Sequence, residues 1–134
     1  MKTLLLSILL FASLHANGLT YDTSKSLLWQ DNDDVIKEVR TYQEALNYCE
    51  NLKIEDYNDF TLPTIQELQS IINYKNYNPA IMKGFMKVKS EEYWSSTPFV
   101  YNENSSWTID FKRGTREPTF HSYSRYVRCV QHIK

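Results

Sequence analysis

Two cysteines, Cys49 and Cys129, are the only ones in a chain of 134 residues that opens with the layout of an export signal. Lys2 supplies an early cation, Leu4 to Leu14 an apolar run, and Ala16 a small residue just before Asn17 and Gly18. This order reads as a secretory signal peptide over residues 1–16, leaving one domain over residues 17–134. The apolar run is about 11 residues, against the roughly 20 that span a bilayer as a helix. Stable membrane insertion after cleavage is therefore not expected. An uncleaved anchor is the competing reading, because Leu14 is bulkier than the small residue favoured three positions before the cut. In an oxidising compartment an isolated cysteine pair points to one disulfide rather than to a metal site or a reactive thiol. The product expected is a small exported unit, periplasmic or secreted, cross-linked once.

The residues after the signal are enough for a single ordinary domain. Aromatic residues make up 14% of the chain, with ten tyrosines, so a sizeable core is within reach. Three glycines and four prolines exclude a collagenous or low-complexity body. The charge is unevenly spread. Ten acidic and four basic residues lie between Asn17 and Phe60, while Asp110 to Lys134 carries two acids and six bases: Lys112, Arg113, Arg116, Arg125, Arg128 and Lys134. Either the two ends meet in the fold and neutralise each other, or the basic end is a surface for anionic partners.

Two helix starts are written into the chain. Thr41 with Glu44, and Thr64 with Glu67, have the spacing of capping boxes, in which side chain and backbone satisfy each other's hydrogen bonds. After Thr41, the residues Tyr42, Ala45, Leu46, Cys49 and Leu52 recur at helical spacing; after Thr64, Ile65, Leu68, Ile71 and Ile72 do so. Strands are expected at Leu27–Gln30 and Tyr93–Thr97. Another is expected around Trp107, Ile109 and Phe111, alternating with Thr108 and Asp110 as a half-buried strand does, with Gly114 in the turn that follows. Tyr126–Val130 supplies the last. Strand, helix, helix, then strands reads as α+β with an antiparallel sheet.

These residues resemble a known family. Leu28-Trp29-Gln30-Asp31, Ala45-Leu46 with Tyr48-Cys49, Phe60-Thr61-Leu62-Pro63-Thr64 with Glu67-Leu68, Tyr93-Trp94-Ser95-Ser96-Thr97 and Tyr126-Val127-Arg128-Cys129-Val130 occur together in the Lcl C-terminal domain family of exported bacterial proteins. That family was formerly a domain of unknown function. The resemblance runs from about Gly18 to Val130. It implies a C-type-lectin-like fold, related to that of formylglycine-generating enzymes, with two helices packed on the sheet and the first and last strands adjacent. It also implies a disulfide from the first helix to the last strand, where Cys49 and Cys129 fall. The family's named member carries this domain on a collagen-like adhesin that binds sulfated polysaccharides; the present chain has no collagen repeat.

Catalytic signatures are lacking: there is no Cys-x-x-Cys, His-Glu-x-x-His, Gly-x-Ser-x-Gly or phosphate-cradling glycine loop. His121 and His132 with Glu117 could bind a metal or move protons, although histidines near a terminus are more commonly plain surface residues. Formylglycine-generating enzymes act through redox-active cysteines, and here both cysteines are taken by the cross-link. Glu117-Pro118-Thr119 is similar to the Glu-Pro-Asn element of calcium-dependent lectins, but Thr replaces the amide ligand, and calcium needs several converging oxygens. The run Asp31-Asn32-Asp33-Asp34 lacks the spaced ligands of an EF-hand and reads as a solvated turn. Trp29, Trp94 and Trp107 read as core, while Tyr74, Tyr77, Tyr101 and Tyr123 are candidates for stacking on sugar rings.

The function expected is a non-enzymatic binding module for an anionic, sulfated polysaccharide or a cell-envelope partner. Lys112, Arg113, Arg116 and Arg125 are the expected ligand contacts; Arg128, beside Cys129, is expected to pair internally. No metal, cofactor or nucleic acid is expected. The alternatives are a hydrolase or redox enzyme with an unrecognised site, and a structural envelope protein.

Overall fold

The computed structural model describes residues 17–134; the signal peptide expected over residues 1–16 lies outside them. Strands β1 (Leu19–Asp22) and β2 (Leu27–Gln30) form a hairpin. The one-turn helix α1 (Asp34–Lys37) and the short strand β3 (Val39–Arg40) follow. Helices α2 (Tyr42–Asn51) and α3 (Ile65–Ser70) come next. Beyond an irregular stretch lie β4 (Glu92–Pro98), β5 (Ser105–Asp110), β6 (Thr115–Phe120), β7 (Arg125–Tyr126) and β8 (Val130–His132).

The class is α+β, as the element order predicts, but the strands are divided between two sheets. One has the order β1-β2-β8, the other β3-β7-β4-β5-β6. The second is mixed, because β7 runs parallel to β4 where Tyr126 meets Tyr93. The single strand expected at Tyr126–Val130 is really the end of β7 and the start of β8, with Val127–Cys129 crossing between sheets. An alternating pattern reports which side chains are buried and is silent on which ladder the backbone joins. The expected contact between the Trp29 strand and the C-terminus is present, with Trp29 opposite Val130. An additional strand, β1, precedes it and takes the other edge of that sheet, so the literal first strand does not touch the last.

Both helix starts form where their caps predict. The N–H of Glu44 donates to Thr41 Oγ1 at 3.4 Å, and the Thr41 N–H donates to Glu44 Oε1 at 2.8 Å. The equivalent distances at Thr64 and Glu67 are 3.1 and 2.8 Å. Helix α2 buries Ala45 and Cys49, and Cys49 is bonded to Cys129 with the Cα atoms 5.5 Å apart. The bridge closes a loop with a sequence separation of 80, which contributes about 4 to 5 kcal/mol in the chain-entropy account.

The larger sheet separates two cores. Tyr93 and Trp94 are successive and fully buried, so they face opposite ways. Tyr93 joins Trp29, Ile65, Leu68, Ile109 and Phe111; Trp94 joins Leu28, Ala45, Cys49, Phe60 and Cys129. Strand β5 is consequently buried on both faces rather than half-buried. Its polar residues are tolerated because they are bonded: Thr108 Oγ1 lies 2.9 Å from Thr119 Oγ1, and Ser106 Oγ lies 2.8 Å from His121 Nε2. Trp29 and Trp94 are core, as expected, whereas Trp107 is only partly buried.

Asp31 departs from the solvated turn expected around it. It is buried, and its carboxylate accepts hydrogen bonds from Thr20 Oγ1 at 2.6 Å and from the N–H groups of Met86 and Lys87 at 2.8 and 3.0 Å. Arg128, also fully buried, approaches it to 3.1 Å and donates to the carbonyls of Gln30 and Lys87. This pair pins the irregular segment between α3 and β4 against the smaller sheet.

Candidate functional site

The β5–β6 turn is built to hold two cations outward. Asp110 carries the turn twice: its carbonyl accepts from the Gly114 N–H at 2.7 Å, and its Oδ1 accepts from the Lys112 N–H at 2.8 Å. Gly114 has φ +82°, and a Cβ there would lie 2.7 Å from Ile72 Cγ2. Only glycine meets both conditions at low cost. From outside the turn, the N–H groups of Asn78 and Ala80 donate to the carbonyls of Lys112 and Phe111 at 2.8 and 2.6 Å. Lys112 and Arg113 are therefore displayed from a braced backbone.

Arg125 reaches the same place from β7. Its Nε contacts Glu92 Oε2, and its Nη1 donates to the Ser124 carbonyl at 2.9 Å. Lys89, Lys112, Arg113 and Arg125 line one open groove of about 770 Å³. Glu91, Glu92 and Asp110 line it too. Glu92 is engaged by Arg125, and Asp110 by the turn backbone. Among the described residues, Lys89, Lys112 and Arg113 make no ion pair.

Two exposed tyrosines flank this groove, each beneath a guanidinium. Arg113 lies over the Tyr77 ring at 6.0 Å and Arg125 over the Tyr123 ring at 5.4 Å. Such contacts hold the ring and the cation in a fixed relation while leaving ring surface free. Tyr101 lies elsewhere, edge-on to Phe99 at 5.5 Å. Tyr74 packs behind the β5–β6 turn, its ring within 3.4 Å of a Gly114 Cβ position.

The groove thus gathers Lys112, Arg113 and Arg125 of the four expected contacts and leaves out Arg116. Arg116 is paired with Ile109 across β5 and β6, so it shares a face with Trp107 and lies over that ring at 4.9 Å. Strand alternation turns its neighbour Glu117 the opposite way. Hydrogen bonding with Glu92, burial and the Glu92 charge push the Glu117 pKa up to about 7, against the opposing pull of Arg125. Lys89, Glu92 and Asp110 escaped sequence reasoning: strand register brings Glu92 and Asp110 together, and Lys89 reaches the groove from the irregular segment before β4.

The remaining candidates are dispersed. His132 Nε2 sits 2.6 Å from Glu67 Oε2 on the far side of α3. His121 is bonded to Ser106 and stacked on Tyr42 at 4.0 Å, and burial lowers its pKa. The two histidines and Glu117 therefore do not form one site. The Ser106–His121 contact has nucleophile–base geometry, but Ser106 is fully buried and packed inside the sheet layer. Glu117-Pro118-Thr119 does not converge on a cation, since Thr119 is buried against Thr108. Among the described residues, no group of three or more His, Cys, Asp or Glu side chains is arranged to hold a metal, and no helix is long and apolar enough to cross a membrane.

No curated protein matches the chain. The family model of the Lcl C-terminal domain matches it over residues 18–131. That span includes the disulfide, the whole groove and both sheets up to the last residue of β8, so the chain belongs to the Lcl C-terminal domain family.

Proposed function

We propose that this domain is an exported, non-enzymatic binding module whose groove takes an anionic polysaccharide. The observation that carries the reading is the convergence of Lys89, Lys112, Arg113 and Arg125 on one groove with Tyr77 and Tyr123 at its sides. Guanidinium groups match sulfate and carboxylate oxygens with planar donors and stay charged at any relevant pH. Tyrosine rings add apolar faces on which a sugar ring stacks. An open groove suits a chain-like ligand that enters and leaves at either end. Export is supported by the single disulfide in so small a domain. The same α+β layout, with a bridge from α2 to the last crossing segment, supports a C-type-lectin-like reading of the fold.

Heparin binding of the purified protein tests this proposal. Attraction between exposed charges is screened over about 8 Å at physiological ionic strength, so affinity should fall steeply as salt rises. Reversing Lys112 and Arg113 to Glu should weaken binding at least about tenfold, equivalent to 1.4 kcal/mol. Arg116→Glu, outside the groove, should leave it nearly unchanged. Salt-insensitive binding, or equal losses from both reversals, would overturn the assignment of the groove.

A further inference from the structure

We propose that the face around the β4–β5 loop is a second carbohydrate site, suited to an uncharged β-linked polysaccharide and separate from the anion groove. It goes beyond the groove reading and does not rest on it.

The loop is unusual for what it displays. The Phe99 N–H donates to the Ser105 carbonyl at 2.9 Å, and the Asn102 N–H to the Phe99 carbonyl at 3.1 Å. The second bond closes a tight turn with Val100 and Tyr101 at its two corners. Such corners are mostly taken by Gly, Pro, Asn, Asp or Ser, yet here two large apolar side chains stand 85% and 86% exposed. The Ser105 N–H donates to the Asn102 carbonyl at 3.0 Å, and the His121 N–H to the Asn104 carbonyl at 2.7 Å. The loop is therefore braced from within and from the end of β6.

Behind the corner the rings interlock. Phe99 meets Tyr101 at 5.5 Å and 66°, and Trp107 at 5.2 Å and 86°. Such contacts fix the Tyr101 ring while covering little of it. Register adds Phe120. Pro98 is opposite Ser106, which sets Phe99 opposite Ser105, and Ser105 is opposite Phe120. Residues abreast share a face, so Phe99 and Phe120 flank the small Ser105 from strand positions about 10 Å apart. Trp107 shares that face, whereas Glu92 and Asp110 of the groove project from the other. Tyr123, edge-on to Phe120 at 5.8 Å, marks the border between the two sites.

The occupant follows from what accompanies the rings. A sugar residue has an apolar C–H face and a rim of hydroxyls, so it needs rings beside hydrogen-bonding groups. Asn102, Glu103 and Asn104 follow Tyr101 directly. Asn102 Oδ1 accepts the Asn104 N–H at 2.9 Å, which leaves the Asn102 side-chain N–H groups for a ligand. A bilayer is disfavoured, because burying Val100 and Tyr101 in it would carry the Glu103 charge with them. An anionic ligand would meet only Arg116, whose guanidinium lies over the Trp107 ring at 4.9 Å, and Glu103 offsets it. With one charge of each sign the face has little field to gather ions, which favours an uncharged chain. β-Linked hexoses carry their substituents equatorially and so offer flat C–H faces to an aromatic plane. Tyrosine supplies that plane with little rotamer freedom to lose.

Chitohexaose, an uncharged β-linked oligosaccharide, is the probe, followed by amide chemical shifts of the purified protein. Shifts should centre on Val100, Tyr101, Asn102, Asn104 and Phe120, and should persist as salt is raised, since no ion pair is there to be screened. Tyr101→Ala should weaken binding roughly three- to tenfold, the worth of one aromatic contact, with the melting temperature unchanged. Tyr101→Phe should bind as the native chain does, which assigns the effect to the ring. Reversing Lys112 and Arg113 to Glu should leave chitohexaose binding intact. Absence of chitohexaose binding, or shifts centred on the groove, overturns the proposal. So does Tyr101-dependent binding to vesicles of phosphatidylethanolamine and phosphatidylglycerol, or a dimer that Tyr101→Ala dissolves, either of which gives the face to another occupant. If heparin fails to bind while chitohexaose binds at Tyr101, the groove reading falls and this site stands.

Discussion

Arg128 and Cys129 are neighbours in sequence, yet they tie down opposite halves of the molecule by opposite means. Cys129 turns into the core that contains Trp94 and α2, and bonds Cys49. Arg128 turns the other way, to Asp31 and the Lys87 carbonyl. The covalent tie asks nothing of its surroundings. The ionic tie repays its desolvation only because the remaining Asp31 lone pairs are occupied by Thr20, Met86 and Lys87. The difference tracks what each tie must hold. Helix α2 satisfies its own backbone and needs only positioning. The segment leading into β4 has no regular ladder, so its N–H and carbonyl groups need partners from side chains. Since Lys89 closes one side of the groove, that ionic pin also supports the candidate site.

Breaking the covalent tie should cost most. Replacing Cys49 and Cys129 together by Ala should lower stability by about 4 to 5 kcal/mol, read from chemical denaturation; an unchanged midpoint would contradict the pairing. Asp31→Ala leaves the Arg128 charge buried without its partner and should cost about 3 to 5 kcal/mol. Hydrogen exchange sharpens the comparison. The amides of Met86 and Lys87 should lose protection first in Asp31→Ala, while those of α2 should keep theirs. Uniform loss would mean that the two ties are not regional. Thr41→Ala and Thr64→Ala should each cost about 0.5 to 2 kcal/mol, the usual range for a lost cap.

The smallest effect is a pH dependence. The folded-state pKa of Glu117 lies above its ordinary 4.5, at about 7. Stability contributed by the protonated form is fully present below the ordinary value and is lost as pH rises through 7. The native chain should therefore melt slightly lower at pH 8 than at pH 6, and Glu117→Gln should show a smaller difference. Equal slopes in the two proteins would dissociate the Glu92–Glu117 pair from folding.

What the sequence disclosed was local. The caps at Thr41 and Thr64 are four-residue signals and were legible in full. The internal pairing of Arg128 could be read because a charge on a buried strand needs a partner, although its partner Asp31 looked like part of an exposed acidic turn. Two-sided burial of β5 was hidden, since Ser106 and Thr108 are polar and reach their burial through His121, just past β6, and Thr119 on β6. Basic clustering pointed to Lys112, Arg113 and Arg125. It could not separate Arg116 from them, because that depends on which face the register assigns to each residue. Glu92 and Asp110 join the groove only through strand pairing, which composition does not encode, and Lys89 joins it from the irregular segment that leads into β4.

The central claim is that the groove between the β5–β6 turn and β7 is the binding face. Amide chemical-shift mapping with a short heparin oligosaccharide at low salt tests it most directly. The account predicts shifts concentrated at Tyr77, Lys89, Lys112, Arg113, Tyr123 and Arg125, fading as salt is raised. Shifts centred instead on Tyr101 and Trp107, away from the groove, would contradict it.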